Sequence, residues 1–429
     1  MSLARRGVST HGQLSPVSSS RLLFPQGDGI KMIHSIKPMS VMPFIILGLF
    51  GLYTLELGVV GILPLIVERF HVTVAQAGLL MSLFAIIVAI FGPFLVLVFS
   101  RYDRKKVLIG ALLCFSVCSV FSAYAPNYGT LMALRVLPAL LHPVFFSAAF
   151  AAAISLYPKE RATHATTVAF IGTTLGLVFG VPLTAWLAGR FSYEVSILFC
   201  AVATLLAGLG LLFRLPRQHT SPETFGSQLS ILRKPAVWLA IVATVLVFMT
   251  KFSVYSYAAE YLKSQTGMDN QTISIMLVLF GVGGVLGNLF AGRMLANNLV
   301  KTALLFPILL SFAYLILYAF GSASVSSMIV IVFVWGAIHT SGMVITQMWL
   351  TTAAPEAHSF ATSLYVSAAN GGIAIGSWVG GLFITAYGLP GTIWCGLVFA
   401  LLSFIVLAAK AALYGGGSDR IGSGVVQAG

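Results

Sequence analysis

The sequence predicts an all-α polytopic membrane protein: twelve transmembrane helices in two six-helix halves, related by a pseudo-two-fold axis along the membrane normal. Three observations predict it. Hydrophobic residues make up 58% of the 429 residues and charged residues 8%, with a mean hydropathy of +0.98, whereas soluble domains run near 25% charged. The apolar residues fall into twelve stretches, each near the roughly 20 residues a helix needs to cross a bilayer. A glycine pattern also recurs at the same place in each half.

The spans run near 41–67, 74–99, 107–125, 129–156, 164–189, 194–213, 236–258, 271–295, 302–320, 325–352, 360–387 and 392–413. Residues 1–40 are polar, rich in Ser and Arg and without the apolar core of a secretory signal. They read as a disordered cytoplasmic extension, with Met32 and Met39 as alternative initiators and an organellar presequence as a weaker reading. The first half spans 41–213 and a polar linker covers 214–235. The second half spans 236–414, and 415–429 form a cytoplasmic tail.

Orientation follows from the bases in short loops. One set of loops carries Arg101, Arg104, Lys105, Lys106, Lys159, Arg161, Arg214, Arg217, Arg233, Lys234 and Lys301; the opposite set carries only Arg69, Arg190 and Lys263. The first set is therefore cytoplasmic, as are both termini. The net charge of +13 does not indicate nucleic acid, because the bases sit in short clusters between apolar spans and not in a stripe with interleaved aromatics. Cys114, Cys118, Cys200 and Cys395 lie inside spans and read as small packing residues, neither disulfides nor a metal site.

The first span breaks the apolar rule once. Glu56 sits near its middle, where a carboxylate costs about 3 kcal/mol or more. It is either a packing residue paired to a base or a proton- or substrate-binding carboxyl facing a polar path. In the fifth span glycines stand at 172, 176 and 180, followed by Pro182; in the eleventh they stand at 372, 376 and 380. Glycine at every fourth position makes a smooth strip on one helix face, along which a second helix can approach closely. Its recurrence points to an internal repeat, and two parallel halves are a known transporter plan.

These residues carry a resemblance to the major facilitator superfamily, and within it to the drug- and sugar-efflux proton antiporters of the arabinose-efflux branch. It covers about Val41–Leu413. GLYTLELGVVGILP places Glu56 at that branch's acidic position. LMALRVLPALLHPVFFSAA resembles its fourth helix, with Arg135 at the Arg of the family's second motif and His142 in an H-P-x-F element. GTTLGLVFGVPL resembles the antiporter motif, and QMWLTTAAPEAHSFATSLYVSAANGGIAIGSWVGG is similar to the stretch over helices 10 and 11. The loop after the second span departs from the pattern. Ser100 stands where the family has an Asp that latches the halves; Asp103 is shifted along the loop, and the basic run with Arg101 and Arg104 is kept.

The resemblance implies that helices 1, 4, 7 and 10 line a central cavity. Each carries an ionisable residue near mid-depth: Glu56, His142, Lys251 and His339. Arg135 lies two turns before His142 on a similar face. No other span carries one as deep; Arg293 and Lys410 lie near span ends, where long side chains snorkel to the interface. A lone His on an apolar helix is commonly a packing residue, but His142 has Glu56 and its family element beside it. Lys251 either pairs with Glu56 across the cavity or meets an anionic part of a substrate. Tyr53, Tyr255, Gln347, Asn370 and Trp335 complete a candidate pocket.

The expected activity is secondary transport. No nucleotide-binding loop occurs, so an ion gradient drives it, with no cofactor beyond the proton gradient. Glu56, with His142 and Arg135, would carry or tune the coupling proton in exchange for an exported sugar such as arabinose, or a drug. Arg101, Asp103, Arg104, the two glycine strips and Pro182 would serve gating and helix packing. The expected partners are a small-molecule substrate and the lipid bilayer, not nucleic acid, with the monomer as the working unit in a bacterial inner membrane. The rivals are a proton-coupled uptake carrier, a multidrug exporter, an uncoupled facilitator, a membrane scaffold and, last, an intramembrane enzyme, for which no HExxH or GxSxG is present.

Overall fold

The computed structural model describes residues 40–158, 161–216, 228–320, 324–354 and 358–414. The proposed N-terminal extension except for Ser40, the alternative initiators, Lys159, the linker over 217–227 with Arg217, and the C-terminal tail lie outside the described residues.

Local chemistry sets where the helices begin. Helix α1 covers Met42–Phe70, with a proline at its start where the missing N–H costs nothing. Helix α2, Val74–Phe99, opens on a capping box: Thr73 accepts from the Gln76 N–H while Gln76 accepts from the Thr73 N–H. Asp103 caps α3, Arg104–Ala123, and Asn127 caps α4, Tyr128–Ser155. Helix α5 runs Ala162–Leu175, widens into a π turn over Gly176–Gly180 and continues as Val181–Arg190. Ser192 caps α6, Tyr193–Arg214. In the second half α7 runs Pro235–Tyr255 and resumes as Ala258–Thr266; α8 covers Asn270–Asn297, α9 Leu299–Phe320, α10 Val325–Thr351, α11 His358–Tyr387 and α12 Gly391–Tyr414. All twelve are long and apolar enough to cross a membrane, and no strand occurs among the described residues.

Two elements depart from the expected spans. The fifth is not a uniform helix, because the π turn falls on its glycine strip. The seventh does not stop near 258. Its last turns carry Glu260 and Lys263, which end the hydropathy signal, but the chain resumes as helix after a break at Ser256–Tyr257.

The glycine strips do what their spacing predicts. A methyl group on Gly172 would fall 2.4 Å from the Ile46 carbonyl oxygen, on Gly176 2.6 Å from Tyr53 Cβ and on Gly180 2.2 Å from Thr54 Oγ1. Helix α5 therefore lies directly on α1. In the second half the same contacts join α11 to α7: a methyl on Gly372, Gly376 or Gly380 would come within 2.8 Å of Phe248 Cβ or of the α7 backbone at Val245, Met249 or Ser253. The equivalence of these two seams is the internal repeat seen in three dimensions. A third seam went unread in the sequence. Gly283, Gly284 and Gly287 on α8 meet α10 so closely that a methyl on Gly287 would sit 2.0 Å from the Ala337 oxygen.

Helices α1 and α7 are central, with 72% and 67% of their spans buried against 39% for α9 and α12. The halves meet where α2 packs along α11 and α5 along α8. The end of the bundle with the α1–α2, α3–α4, α5–α6 and α7–α8 turns is called the outer end here, after the sequence-based orientation. Toward that end the halves are in close contact. Tyr257 fills the space between Gly78 on α2 and Gly381 on α11, its hydroxyl donating to the Ser377 carbonyl at 2.6 Å. Closer still to the outer end, Lys263 on α7 pairs with Glu68 on α1. Arg69 pairs with Glu194 nearby, within the first half.

Candidate functional site: a charged cavity between the halves

Inward of that contact lies a cavity of about 770 Å³, counting its mouth. Helices α1 and α4 supply one wall; α7, α10 and α11 supply the other. Tyr53, Glu56, His142, Lys251, Tyr255, His339 and Asn370 all line it, so seven residues singled out from four spans and α11 come together in one place. Gln347 does not line it; it lies about two turns beyond His339 along α10.

On the first wall Glu56 is 5% exposed. Its Oε2 stands 3.0 Å from His142 Nε2, close but off the line of a hydrogen bond. The imidazole is held between Phe84, edge-on at 5.5 Å, and Phe146, stacked at 6.5 Å, with the Tyr53 ring 6.2 Å away. The carboxyl and imidazole thus form a pair with a shared surface on the cavity and no other ionic partner among the described residues.

Arg135 is not in that cavity. It lines a second one, of about 540 Å³, inside the first half between α1, α2, α3, α4, α5 and α6. There its guanidinium lies 5.1 Å over the Phe84 ring and donates to the carbonyls of Leu55 and Glu56 at 3.3 and 3.2 Å. It braces the backbone that carries Glu56 and does not touch the carboxylate. The reason is distance along α4: seven residues rise about 10 Å, which puts Arg135 two turns away from His142 on nearly the same face.

On the second wall Lys251 is 0% exposed. Its Nζ has no hydrogen-bond partner among the described residues and rests over the Phe248 and Phe252 rings at 4.3 and 5.9 Å. The expected pair with Glu56 is not made in this conformation. His339 sits among Tyr255, Phe280 and Phe252, at 4.9, 5.2 and 5.8 Å, with its Nδ1 unpartnered. Asn370 donates to the Val366 carbonyl at 3.0 Å, leaving its Oδ1 without a partner.

Sequence reasoning missed the aromatic lining. Phe146, Phe248, Phe252 and Tyr365 face the cavity; Phe248 and Phe252 flank Lys251 at helical spacing, which was the available signal. It also misjudged one charge and passed over another. Lys410 does not snorkel: it is 7% exposed, donates to the Trp349 carbonyl at 2.9 Å and lies 4.2 Å over that indole. Glu260, on the second arm of α7, is also buried, and accepts from Ser264 at 2.6 Å. Both stand at span ends, where hydropathy cannot tell a residue facing lipid headgroups from one turned into the bundle. Arg293 is exposed, as expected. In the α2–α3 loop, Asp103 is engaged as the cap of α3, accepting from the Lys106 N–H at 3.2 Å. Arg104 donates toward the Ala151 carbonyl at 3.5 Å and Arg101 is exposed.

A twelve-helix membrane bundle, made of two alike halves around a largely apolar cavity that carries a few ionisable side chains, is the plan of a secondary transporter. The chain belongs to the Major Facilitator Superfamily, which it matches over residues 45–261 and 240–414. It is 33% identical to the inner membrane transport protein YdhP of Escherichia coli (strain K12) over 347 residues, 79% of this chain and 87% of that one. It is 27% identical to a probable sugar efflux transporter of Mannheimia succiniciproducens over 353 residues, 82% and 89% of the two chains. Among solved structures, a bacterial homolog of the human lysosomal transporter Spinster, inward-facing and occupied, superposes with a TM-score of 0.67 at 16% identity, covering 88% of this chain and 96% of that one. A variant of the nucleoside transporter NupG gives 0.70 at 14% identity, covering 88% and 99%. The protein is thus a multi-pass membrane transporter of this superfamily.

Proposed function

We propose that this transporter is a proton-coupled antiporter that exports a small molecule from the cytoplasm by alternating access. The observation that carries the reading is the Glu56–His142 contact of 3.0 Å in the wall of the cavity between the halves. Intramembrane acids are costly and mark ion pathways. A carboxyl and an imidazole this close act as a coupled pair, so that a proton gained or lost by one is felt by the other. A substrate group that takes the carboxylate displaces that proton, and competition for one site is the condition for exchange. Arg135 fixes the position of the Glu56 backbone, and so the geometry of the pair, from the second cavity.

The close contacts at Tyr257 and the Glu68–Lys263 pair hold the halves together at the outer end, so this conformation is the one open toward the cytoplasm. The halves rock about the cavity, with the glycine seams keeping α5 on α1 and α11 on α7 through the motion. Both termini lie in the cytoplasm, the membrane is a bacterial inner membrane, and one chain contains the whole path. The proton gradient is the energy source and no cofactor takes part. A relative named as a probable sugar efflux transporter makes sugars such as arabinose the first candidates, with drugs next.

The test uses inverted vesicles carrying a pH-sensitive dye and a preset proton gradient, challenged with sugars, nucleosides, amino acids and cationic or neutral drugs. A compound that dissipates the gradient with the wild type and not with Glu56→Gln supports the reading. A compound that equilibrates across the membrane while neither protein dissipates the gradient contradicts it.

A further inference from the structure

The two walls of the cavity carry opposite charge. The first wall offers Glu56; the second offers Lys251, with no acid on its own half among the cavity's lining residues. Lys251 is the more informative. A buried ammonium without a counter-charge is among the least favourable groups a membrane bundle can hold, and rings at 4.3 and 5.9 Å compensate it only partly. Its four-carbon stem is flexible, so a turn of the side chain brings the ammonium from the Phe248 ring into the cavity. Nearby, His339 Nδ1 is also without a partner. This side of the cavity lacks an anion to face the Lys251 ammonium.

Exchange adds a second requirement, and here the inference rests on the antiport reading. A purely anionic substrate would be repelled by the Glu56 carboxylate and would favour proton binding there, which couples proton and substrate in the same direction. A neutral sugar takes the carboxylate by hydrogen bonds alone, whereas a cationic group competes with the proton there by charge as well. We infer that the substrate is a small zwitterion, whose ammonium takes Glu56 on the first half and whose carboxylate takes Lys251 on the second. Phe146, Phe248 and Phe252 line the same cavity and suit an apolar side chain carried beside the two charges. Because its two ends bind different halves, such a ligand also draws the halves together, which is what a transported substrate must do before the cavity can reopen on the other side.

The experiment uses the full chain in lipid nanodiscs and reads binding from the fluorescence of Trp335, which packs against Tyr255 and His339 at the cavity. The probes are leucine and phenylalanine, their methyl esters as cations, their N-acetyl forms as anions, and arabinose. The zwitterions are expected to bind most tightly. Lys251→Met is expected to weaken them tenfold or more and to abolish their advantage over the esters, which lose a repulsive neighbour; Lys251→Arg keeps the preference and shows that the fold is intact. Glu56→Gln is expected to weaken zwitterion and ester alike. Arabinose binding that exceeds every zwitterion, or zwitterion binding untouched by Lys251→Met, overturns the inference, and so does the absence of binding by every probe. Failure of the antiport reading shows separately, as wild-type vesicles in which a bound zwitterion is carried without moving protons.

Discussion

Among the described residues Arg135, Lys251 and Lys410 are buried along with His142 and His339, and the chain treats these three long basic side chains differently. Arg135 spends its donors on the backbone of α1, Lys251 has no partner, and Lys410 is fixed to the end of α10. For Lys410 the opposing terms are comparable. Removing an ammonium from water costs several kcal/mol. A charge-assisted bond to a carbonyl returns about 1.5–3. A desolvated cation–π contact adds up to about 2, and the negative end of a helix dipole up to about 2 more. The Trp349 carbonyl is one of the last four of α10, where such a cation is most useful. Lys410→Met is therefore expected to be nearly neutral, whereas Trp349→Leu with Lys410 kept leaves the charge less compensated. Thermal unfolding of both single variants and the double variant measures this as a coupling of about 1–2 kcal/mol; a coupling near zero contradicts the contact. The sequence placed Glu56, His142, Lys251 and His339 at the cavity correctly because each stands at mid-span, where any charge must face the interior. It placed Lys410 wrongly because near a span end the same residue type has two acceptable environments, and only its neighbours on α10 decide between them.

The helices show what a spacing rule conveys and what it omits. Glycines four apart told of a smooth face on α5 and α11, and the partner helices follow from the repeat. What the spacing did not convey is that α5 leaves α-helical geometry over Gly176–Gly180. A π turn inserts one extra residue per turn and frees backbone groups, and its cause is local: three small residues against α1, followed by a proline that cannot donate. The seam makes a graded prediction. Gly176→Leu forces a side chain into Tyr53 and the α1 backbone, and overpacking of this kind costs about 1–3 kcal/mol. Its expected result is a lower melting temperature and loss of transport. Gly292→Leu is the control, because a methyl there meets nothing within 4 Å; its stability should stay within about 0.5 kcal/mol of wild type. Equal effects of the two substitutions would show that the seam has no special role.

Across the whole molecule the division into halves was legible, since repeat, loop charge and span count all agree. The conformation was not, because no sequence pattern states which end of the bundle is closed. Contacts settle it for this structure: Tyr257 between α2 and α11, and Lys263 with Glu68 between α7 and α1. If the outer end must part during transport, a covalent link there stops the cycle. Glu68→Cys combined with Lys263→Cys is expected to form a disulfide under mild oxidation and to abolish transport, with recovery on reduction. The native Cys118, Cys200 and Cys395 are buried, and the half-buried Cys114 is replaced by Ser in the background of the test. Undiminished transport by the oxidised double variant would mean that the outer end never opens.

In the proposed antiport cycle the coupling proton resides at Glu56 with His142. This placement is tested most directly in proteoliposomes holding a transported compound, by measuring two activities of Glu56→Gln side by side. One is exchange of labelled for unlabelled compound without a gradient; the other is accumulation driven by a pH gradient. A neutral amide at this position leaves the cavity walls and the rocking of the halves in place but cannot release a proton. Exchange is expected to continue, at substrate concentrations high enough to offset the weaker binding, and gradient-driven accumulation to disappear. Accumulation that persists at the wild-type level would place the proton elsewhere and reduce Glu56 to a packing partner of His142.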